Sequence, residues 1–322
     1  MAKKRMMPAI NMALDEEMSR DKKVILYGED AGISLLGQTT GLQDKYGKDR
    51  VMDTPICENV MTGMAVGAAA AGYRPICHLL YGNFIYTGFD SIANQAAKLK
   101  YMTAGQVKLP IVYMAVIGGG RSAAAQHSDI PYSALMNLGG IKIVVPSSAR
   151  TAKGLLKSAI RDDNPVFYLT AAGGGRPEEV PDDEDFCLPI GKAEVLRNGS
   201  DCTVISLGAM TIKALSAADK LKESNVNIDL IDLLSLLPID ESSIIESVKK
   251  TGRVVIVDES RDVCSAASHL SAIISDKAFQ YLKAPIKRVT VKDVAIPYAP
   301  ILENNVIPDV PDIINCILQL LK

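Results

Sequence analysis

The feature that most constrains this chain is a regular alternation between short apolar runs and longer segments with helical periodicity. The runs have strand length and few polar positions, which is typical of strands buried on both faces of a parallel sheet. In the first half the predicted strands are KVILYG, RPICHLL, PIVYMAV, KIVVPSS and PVFYLT. The predicted helices lie between them, near residues 8–20, 58–72, 85–103 and 149–161. The pattern therefore predicts an α/β fold with helices on both sides of the sheet.

A second α/β series follows a segment of different composition. Residues 171–189 are rich in glycine, proline and acidic residues and lack periodicity, as domain linkers often do. After this segment the predicted strands are AEVLRNG, CTVISLG, NIDLIDL, RVVIVDE and IKRVTV, with helices near residues 210–224, 242–251, 265–282 and 311–321. We therefore predict two three-layer α/β/α domains with mostly parallel sheets, at residues 1–170 and 190–322, joined by the linker 171–189.

Composition and charge argue against several classes of function. The formal net charge is −2, aromatic residues make up 5% of the chain and tryptophan is absent, so a nucleic-acid partner is not expected. Neither a membrane span nor a signal peptide is predicted from the apolar runs. The six cysteines are scattered without CxxC spacing, which argues against a disulfide framework or a zinc site. We expect a cytoplasmic protein, or one of an organelle matrix in a eukaryote.

Two glycine triplets, Gly118–Gly120 and Gly173–Gly175, invite comparison with nucleotide-binding loops. Neither fits GxGxxG after a strand or the GxxxxGK[ST] loop, so a dinucleotide site or a P-loop is not predicted. Glu29 and Asp30 end the first strand, where open α/β sheets place their ligands. A solvated loop is the alternative explanation for these two acids.

Two single residues are candidates for chemistry. Glu58 begins a helix among apolar neighbours, which would raise its pKa, while the helix terminus would lower it. It could equally be a charge that complements the helix dipole. His127 lies in the polar loop QHSD, which suits a site better than a core, although a structural role is the alternative. The small residues of the Glu58 helix allow close approach of another backbone, from a second subunit or from this chain's own sheet.

Longer segments resemble a known family. In chain order they are LYGEDAG, GLQDKYGKDRVMDTPICE, AVGAAAAGYRPI, NQAAKLKYM, AQHS, VVPSS, KGLLKSAIRDDNPV, GKAEVLRNGSD, SLGAMTIKAL, ESVKKTGRVVIVDES, LKAPIKRV and IPYAPILE. They resemble the transketolase-like β subunits of pyruvate, branched-chain 2-oxo acid and acetoin dehydrogenases. The resemblance implies a pyrimidine-binding domain followed by a transketolase C-terminal-like domain. It also implies a thiamine-diphosphate-dependent enzyme that decarboxylates a 2-oxo acid and passes the acyl group to a lipoyl or related carrier.

The resemblance further implies partners. In this family the α subunit supplies the diphosphate and Mg²⁺ site through a GDG…N motif, which this chain lacks. We therefore expect thiamine diphosphate to be shared with an α subunit in an α2β2 heterotetramer. An acyltransferase core or an acyl carrier protein is a further candidate partner.

The resemblance assigns roles to individual residues. Glu58 matches the family's activating glutamate, whose hydrogen bond to one aminopyrimidine nitrogen favours the imino tautomer that removes the thiazolium proton. His127 would face the substrate carbonyl or the incoming lipoyl group. Phe84 would pack against the aminopyrimidine ring, and Glu29 would line a polar passage between paired active sites.

The segment AIRDDNP resembles a structural potassium loop in the same family. The resemblance implies oxygen ligands from Ile111, Ala159, Asp162 and Asn164, several of them backbone carbonyls.

Two departures from the family pattern are expected near the substrate mouth. Met114 stands where family members usually have arginine, and Asp129 follows AQHS where they usually have glutamine. Both departures put the usual acyl substrate in doubt, so we expect poor activity toward pyruvate.

Two alternative functions remain open. Half of a split transketolase would act on sugar phosphates, but such proteins usually carry the activating glutamate in a different motif, and DTPICE favours the dehydrogenase subunit. A catalytically silent scaffold subunit would need only a binding surface. The presence of Glu58, Phe84 and His127 together argues against the scaffold.

Overall fold

Two mostly parallel sheets organise the chain in the computed structural model, which describes residues 3–322. The strands are β1 (Val24–Gly28), β2 (Val51–Asp53), β3 (Arg74–Tyr81), β4 (Val112–Ile117), β5 (Lys142–Val144), β6 (Val166–Ala171), β7 (Glu194–Arg197), β8 (Cys202–Ser206), β9 (Ile228–Asp232), β10 (Ser235–Leu237), β11 (Val254–Arg261) and β12 (Lys287–Val291). The α-helices are α1 (Met6–Arg20), α2 (Leu42–Tyr46), α3 (Glu58–Ala70), α4 (Leu99–Met102), α5 (Tyr132–Met136), α6 (Ala149–Arg161), α7 (Met210–Glu223), α8 (Glu241–Thr251), α9 (Ala266–Ala278), α10 (Pro300–Val306) and α11 (Val310–Leu321). The predicted fold class is confirmed.

The first sheet has the strand order β10-β5-β6-β4-β3-β1-β2 and is parallel except for the β10–β5 pair. Successive side chains of β4 enter different cores. Tyr113 packs in the core that includes Met61 of α3, whereas Met114 packs with residues of α1 and α6. Burial on both faces explains why this strand is apolar throughout.

The second sheet has the order β12-β11-β8-β9-β7, with β7 antiparallel to its neighbour. Helices α7 and α11 cover one face, and α8 and α9 cover the other. The core on the α8–α9 side is continuous with the α3 side of the first sheet. We call the parts built on the two sheets the first and second domains; their apolar interiors are joined.

Strand β10 was not predicted and belongs in sequence to the second half of the chain. It crosses to the first sheet, where Ser235 pairs with Val144 and Leu237 with Ile143. Leu236 between them is fully buried in the joint core. The second half of the chain therefore supplies an edge strand to the first domain.

The continuous helix predicted near residues 85–103 is wrong. The structure has a 3₁₀ turn at Gly82–Tyr86, a π-helical turn at Ser91–Ala96 and the short α4. Gly88 lies so close to α3 that a Cβ there would sit 2.4 Å from Oγ1 of Thr62. Packing against α3 therefore shapes this segment. The other predicted helices and strands all have counterparts in the structure.

The segment between β6 and β7 runs along α1 and α6. Buried lysines of α6 hold it: Nζ of Lys153 donates to the carbonyl of Pro181 at 2.8 Å, and Nζ of Lys157 donates to that of Glu184. Both ammonium groups also pair with Glu16 of α1, at 2.6 and 2.5 Å. Within residues 3–322, no helix is both long and apolar enough to cross a membrane.

Candidate active site

Two buried glutamates meet beyond the carboxyl ends of the first sheet's strands. Glu29 follows β1 and is 5% exposed; Glu58 is the first residue of α3 and is 7% exposed. Strand β1 approaches β3 so closely that a Cβ at Gly28 would lie 2.2 Å from the carbonyl oxygen of His78. The N–H of Thr54 donates to the carbonyl of Gly28 at 3.1 Å, so the connection that leads to Glu58 starts beside Glu29.

This carboxyl pair, Glu29 and Glu58, has unusual electrostatics. Burial is the largest cause, followed by the charge and the hydrogen bond of Glu58, and together they raise the pKa of Glu29 to about 7. Among residues 3–322, Oε1 of Glu29 finds no hydrogen-bond partner. Two neighbouring buried carboxyls, one of which has an oxygen without a hydrogen-bond partner, are suited to bind a polar ligand and to hold a proton beside it.

Three rings pack edge to face after the end of β3. Tyr81 ends β3, Phe84 lies in the following 3₁₀ turn, and His127 ends the 3₁₀ turn Ala125–His127. The ring centroids are 4.8 Å apart for Tyr81 and His127, 5.4 Å for Phe84 and His127, and 5.8 Å for Tyr81 and Phe84. The structure thus brings the predicted residues Phe84 and His127 into contact and adds Tyr81, which sequence reasoning missed. The sequence feature that could have identified Tyr81 is an aromatic residue at the end of a buried strand.

The hydroxyl of Thr62 links the start of α3 to the segment that follows Phe84 of the ring cluster, Tyr81, Phe84 and His127. Oγ1 of Thr62 donates to the carbonyls of Glu58 at 2.8 Å and Gly88 at 3.1 Å. The segment after Phe84 therefore packs along the first turn of α3, which Glu58 begins.

Asn83 is a second residue that sequence reasoning missed. Its Nδ2 donates to the carbonyl of Ala125 at 3.4 Å, and its Oδ1 accepts the N–H of Asp129 at 3.0 Å. These two bonds bracket His127 and tie its loop to the turn that carries Phe84.

The interpretation of Met114 as a residue of the substrate mouth is wrong. Its side chain is fully buried within β4, in the core formed with α1 and α6. Asp129 lines a cavity of about 350 Å³ between the two domains and forms an ion pair with Arg261 at 3.4 Å. Only Asp129 remains as a candidate influence on substrate choice.

Three of the four residues of the predicted potassium loop have backbone carbonyls that already accept a hydrogen bond. The carbonyl of Ile111 accepts the N–H of Val166 at 2.8 Å, and that of Ala159 accepts the N–H of Asp162 at 3.3 Å. The first is a hydrogen bond between the residue that precedes β4 and the neighbouring strand β6, and the second is a bond at the carboxyl end of α6.

Protein cations also contact oxygens of the loop. The carbonyl of Asp162 accepts a hydrogen bond from Arg74 at 3.1 Å, and its carboxylate accepts one from Lys142. Oδ1 of Asn164 accepts from Lys100 at 2.6 Å. Because three positive side chains surround these oxygens, the set does not fit a potassium ion.

Helix α3 presents a second apolar face beside the site. Met61 and Ala65 pack into the core, whereas Val60 and Met64 are 62% and 39% exposed, and Ile56, just before the helix, is 81% exposed. Ala65 therefore packs into this chain's own core, and the opposite side of the helix is exposed and apolar.

The fold and the site define a class of protein, the transketolase-like enzymes that use thiamine diphosphate. The family "Transketolase, pyrimidine binding domain" matches residues 2–172, and "Transketolase, C-terminal domain" matches residues 191–313. A solved structure titled "Split gene transketolase, inactive beta4 tetramer" is 26% identical, with a TM-score of 0.82 over 97% of both chains.

Similar proteins narrow this class. The β subunit of acetoin:2,6-dichlorophenolindophenol oxidoreductase from Bacillus subtilis is 40% identical over 98% of this chain and 96% of its own. The 2-oxoisovalerate dehydrogenase subunit beta of the same organism is 42% identical over 92% of this chain and 91% of its own. The mitochondrial pyruvate dehydrogenase E1 component subunit beta-1 of Arabidopsis thaliana is 41% identical over 95% of this chain and 86% of its own. The chain belongs to the β subunits of the thiamine-diphosphate-dependent 2-oxo acid dehydrogenases, as its motifs predicted, and such subunits act with an α partner.

The residues present fit the aminopyrimidine end of thiamine diphosphate. The open oxygen of Glu29 and the neighbouring Glu58 offer a buried polar contact, and the ring cluster offers flat apolar surfaces. In the part of the chain that the structure describes, no group of three or more histidine, cysteine, aspartate or glutamate side chains could hold a metal ion.

Proposed function

We propose that this chain binds the aminopyrimidine ring of thiamine diphosphate and controls its protonation in a 2-oxo acid dehydrogenase. The observation that carries the proposal is the buried carboxyl pair, in which Oε1 of Glu29 has no hydrogen-bond partner among residues 3–322. When bound, the cofactor supplies the electron sink that decarboxylation needs. This chain supplies the groups that orient the ring and hold a proton next to it.

Each residue has a distinct role in this proposal. Glu58 shares a proton with a nitrogen of the aminopyrimidine, as the family motif implies. Glu29, whose pKa is about 7, keeps a proton available on the neighbouring carboxyl at physiological pH. Phe84 packs against the ring face, and His127 donates a hydrogen bond to the substrate carbonyl or to the incoming acyl carrier.

The partner completes the site. The α subunit supplies the diphosphate and Mg²⁺ contacts in an α2β2 heterotetramer. The exposed Ile56, Val60 and Met64, next to Glu58, support a subunit contact at this place, because exposed apolar patches often mark interfaces. A lipoyl group, carried by an acyltransferase core or a related carrier, is the acyl acceptor. Potassium is not part of the proposal, because the protein's own cations surround the loop assigned to it.

The donor is a 2-oxo acid or a related keto compound. The names of the similar proteins refer to acetoin, pyruvate or 2-oxoisovalerate. This chain is 40–42% identical to each of these proteins, so sequence identity does not decide among the three substrates. The split transketolase is less similar, at 26%, which favours the dehydrogenase subunit. The poor activity toward pyruvate that we expect now rests on Asp129 alone. A panel of 2-oxo acids and acetoin, assayed with the chain and its co-purified α partner, tests the donor.

Titration calorimetry tests the division of labour. The chain alone should bind thiamine diphosphate weakly and decarboxylate nothing, while the assembled complex should bind it tightly with Mg²⁺. Tight magnesium-dependent binding by the isolated chain would contradict the proposed sharing of the site.

A further inference from the structure

The first glycine triplet, which fits no nucleotide-binding motif, meets two carboxylates of the second domain. The N–H of Gly119 donates to Oε1 of Glu259 at 2.7 Å. The N–H of Gly120 donates to Oε1 of Glu303 at 2.8 Å, and that of Ser122 donates to Oε2 of the same residue at 2.9 Å. Glu259 lies in β11 and Glu303 in α10, so both acids reach across the domain boundary.

Glu303 is the more fully engaged of the two acids. It is 2% exposed, and each of its carboxylate oxygens accepts one backbone amide. Hydrogen bonds to a charged acceptor are roughly twice as strong as those between neutral groups. The two hydrogen bonds of Glu303 hold a loop in which Ser122 has a φ of 52°, in the left-handed region that favours glycine. The carboxylate therefore stabilises a backbone conformation that the loop would not favour alone.

The middle glycine of the triplet lies close to the second domain. A Cβ at Gly119 would lie 2.6 Å from Cδ1 of Ile307 and 3.1 Å from Oε1 of Glu303. A side chain at position 119 would therefore displace Ile307 and crowd the carboxylate of Glu303.

The loop leads directly to His127. Glu303 holds its beginning at Gly120 and Ser122, and Asn83 holds the part around His127. We propose that Glu303 is a positioning residue, which fixes from the second domain the loop that presents His127 to the substrate. This inference rests on the proposed function, in which His127 acts on the acyl group.

The geometry provides a matched pair of variants. Glutamine at 303 would keep one acceptor oxygen, but its amide group would face an N–H donor, so one backbone amide would lose its partner. Glu259 receives a backbone amide on Oε1, and glutamine there can keep that bond. Glu303→Gln should therefore disturb the loop more than Glu259→Gln, although both replace a buried carboxyl by a nearly isosteric amide.

The first experiment uses the assembled α–β complex and compares two steps. In Glu303→Gln we expect acyl-transfer turnover to fall by about 10–100-fold, the size of effect that misplacement of a catalytic group produces. Exchange of the thiazolium proton into deuterium oxide should stay at the wild-type rate, because Glu58 is untouched. Glu303→Asp, which returns two acceptor oxygens, should recover part of the turnover.

The second experiment reads the loop itself. Hydrogen exchange of the peptide covering residues 118–124 should be at least about tenfold faster in Glu303→Gln, since hydrogen bonds to charged groups protect these amides. Glu259→Gln should change it less.

Several outcomes would overturn the inference. Equal losses of turnover in Glu303→Gln and Glu259→Gln, or unchanged turnover in Glu303→Gln, would contradict it. A parallel loss of proton exchange and turnover would make Glu303 a general structural residue. If Glu303→Gln does not assemble, Glu303→Asp must show the same separation of the two steps. By contrast, a wild-type complex without thiazolium exchange, or a His127→Ala complex with normal acyl transfer, would contradict the proposed function itself.

Discussion

The two buried acid clusters of this chain differ in what their oxygens contact. At the end of β1, burial and the neighbouring Glu58 raise the pKa of Glu29 to about 7, and Oε1 of Glu29 has no partner within residues 3–322. In the second domain, burial likewise raises the pKa of Glu259 to about 7, but Glu259 and Glu303 accept backbone amides from a loop.

This difference shows why burial and a raised pKa do not by themselves identify an active site. Both clusters are buried, and both contain a carboxyl with a pKa near neutrality. Oε1 of Glu29 is left without a hydrogen-bond partner among residues 3–322 and can still accept one from a ligand, whereas backbone amides use both oxygens of Glu303. A complete inventory of hydrogen-bond partners separates the two roles.

The largest expected effect comes from the open pair. Glu58→Gln should slow exchange of the thiazolium proton in the assembled complex by roughly two to four orders of magnitude, because an amide cannot share a proton with the ring. The fold should survive, since losing a charge at a helix terminus costs about 0.3–1 kcal/mol. His127→Ala serves as the control, with near-normal exchange and impaired acyl transfer. Near wild-type exchange in Glu58→Gln would return Glu58 to the role of a helix-terminal charge.

A smaller effect is expected at the ring cluster. Phe84→Leu should weaken binding of thiamine diphosphate by about 1 kcal/mol, the scale of an aromatic contact, which is roughly fivefold in affinity. Phe279→Leu is the matched control, because Phe279 is 72% exposed on the second domain. Calorimetry on the two assembled variants provides the comparison. Equal affinities would show that Phe84 does not touch the ring.

The pH dependence of stability tests Glu29 separately. Its pKa is raised in the folded protein from 4.5 to about 7, so folding favours the neutral carboxyl. This contribution to stability is complete below pH 4.5 and is lost as the pH rises through about 7. Glu29→Gln cannot ionise, so its unfolding temperature should fall less than that of the wild type over this range. Since Glu259 titrates in both proteins, the difference between the two curves reports Glu29, and parallel curves would contradict the assignment.

The smallest effect is expected at the loop first assigned to potassium. Wild-type unfolding temperatures in potassium and sodium salts of equal ionic strength should coincide, because protein cations already neutralise the loop. Lys142→Met should cost about 1 kcal/mol, as the loss of a partly exposed ion pair does. Lys322→Met, at the chain terminus, is a control for charge alone. Stabilisation of the wild type by potassium but not by sodium would show that the ion binds despite these contacts.

Sequence patterns determined the fold class, because the period of apolar residues reports directly which faces of a segment are buried. Most helices and strands were predictable because this period is a property of short, contiguous segments. The DTPICE motif, also contiguous, identified Glu58 as a candidate. Motifs also placed Phe84 and His127 among the candidates, since each belongs to a short contiguous segment.

The tertiary structure decided what no local pattern can contain. Contacts between Gly119 and Glu259, 140 residues apart, or between the rings of Tyr81 and His127 depend on how loops meet after the strands have packed. The same is true of Met114, which the sequence placed at a substrate mouth and packing buried in a core. Periodicity records whether a side chain is buried, but its partner is set by the arrangement of distant segments. That is why Glu29, which has an oxygen without a hydrogen-bond partner among residues 3–322, and Glu303, whose two oxygens both accept backbone amides, cannot be distinguished in the sequence.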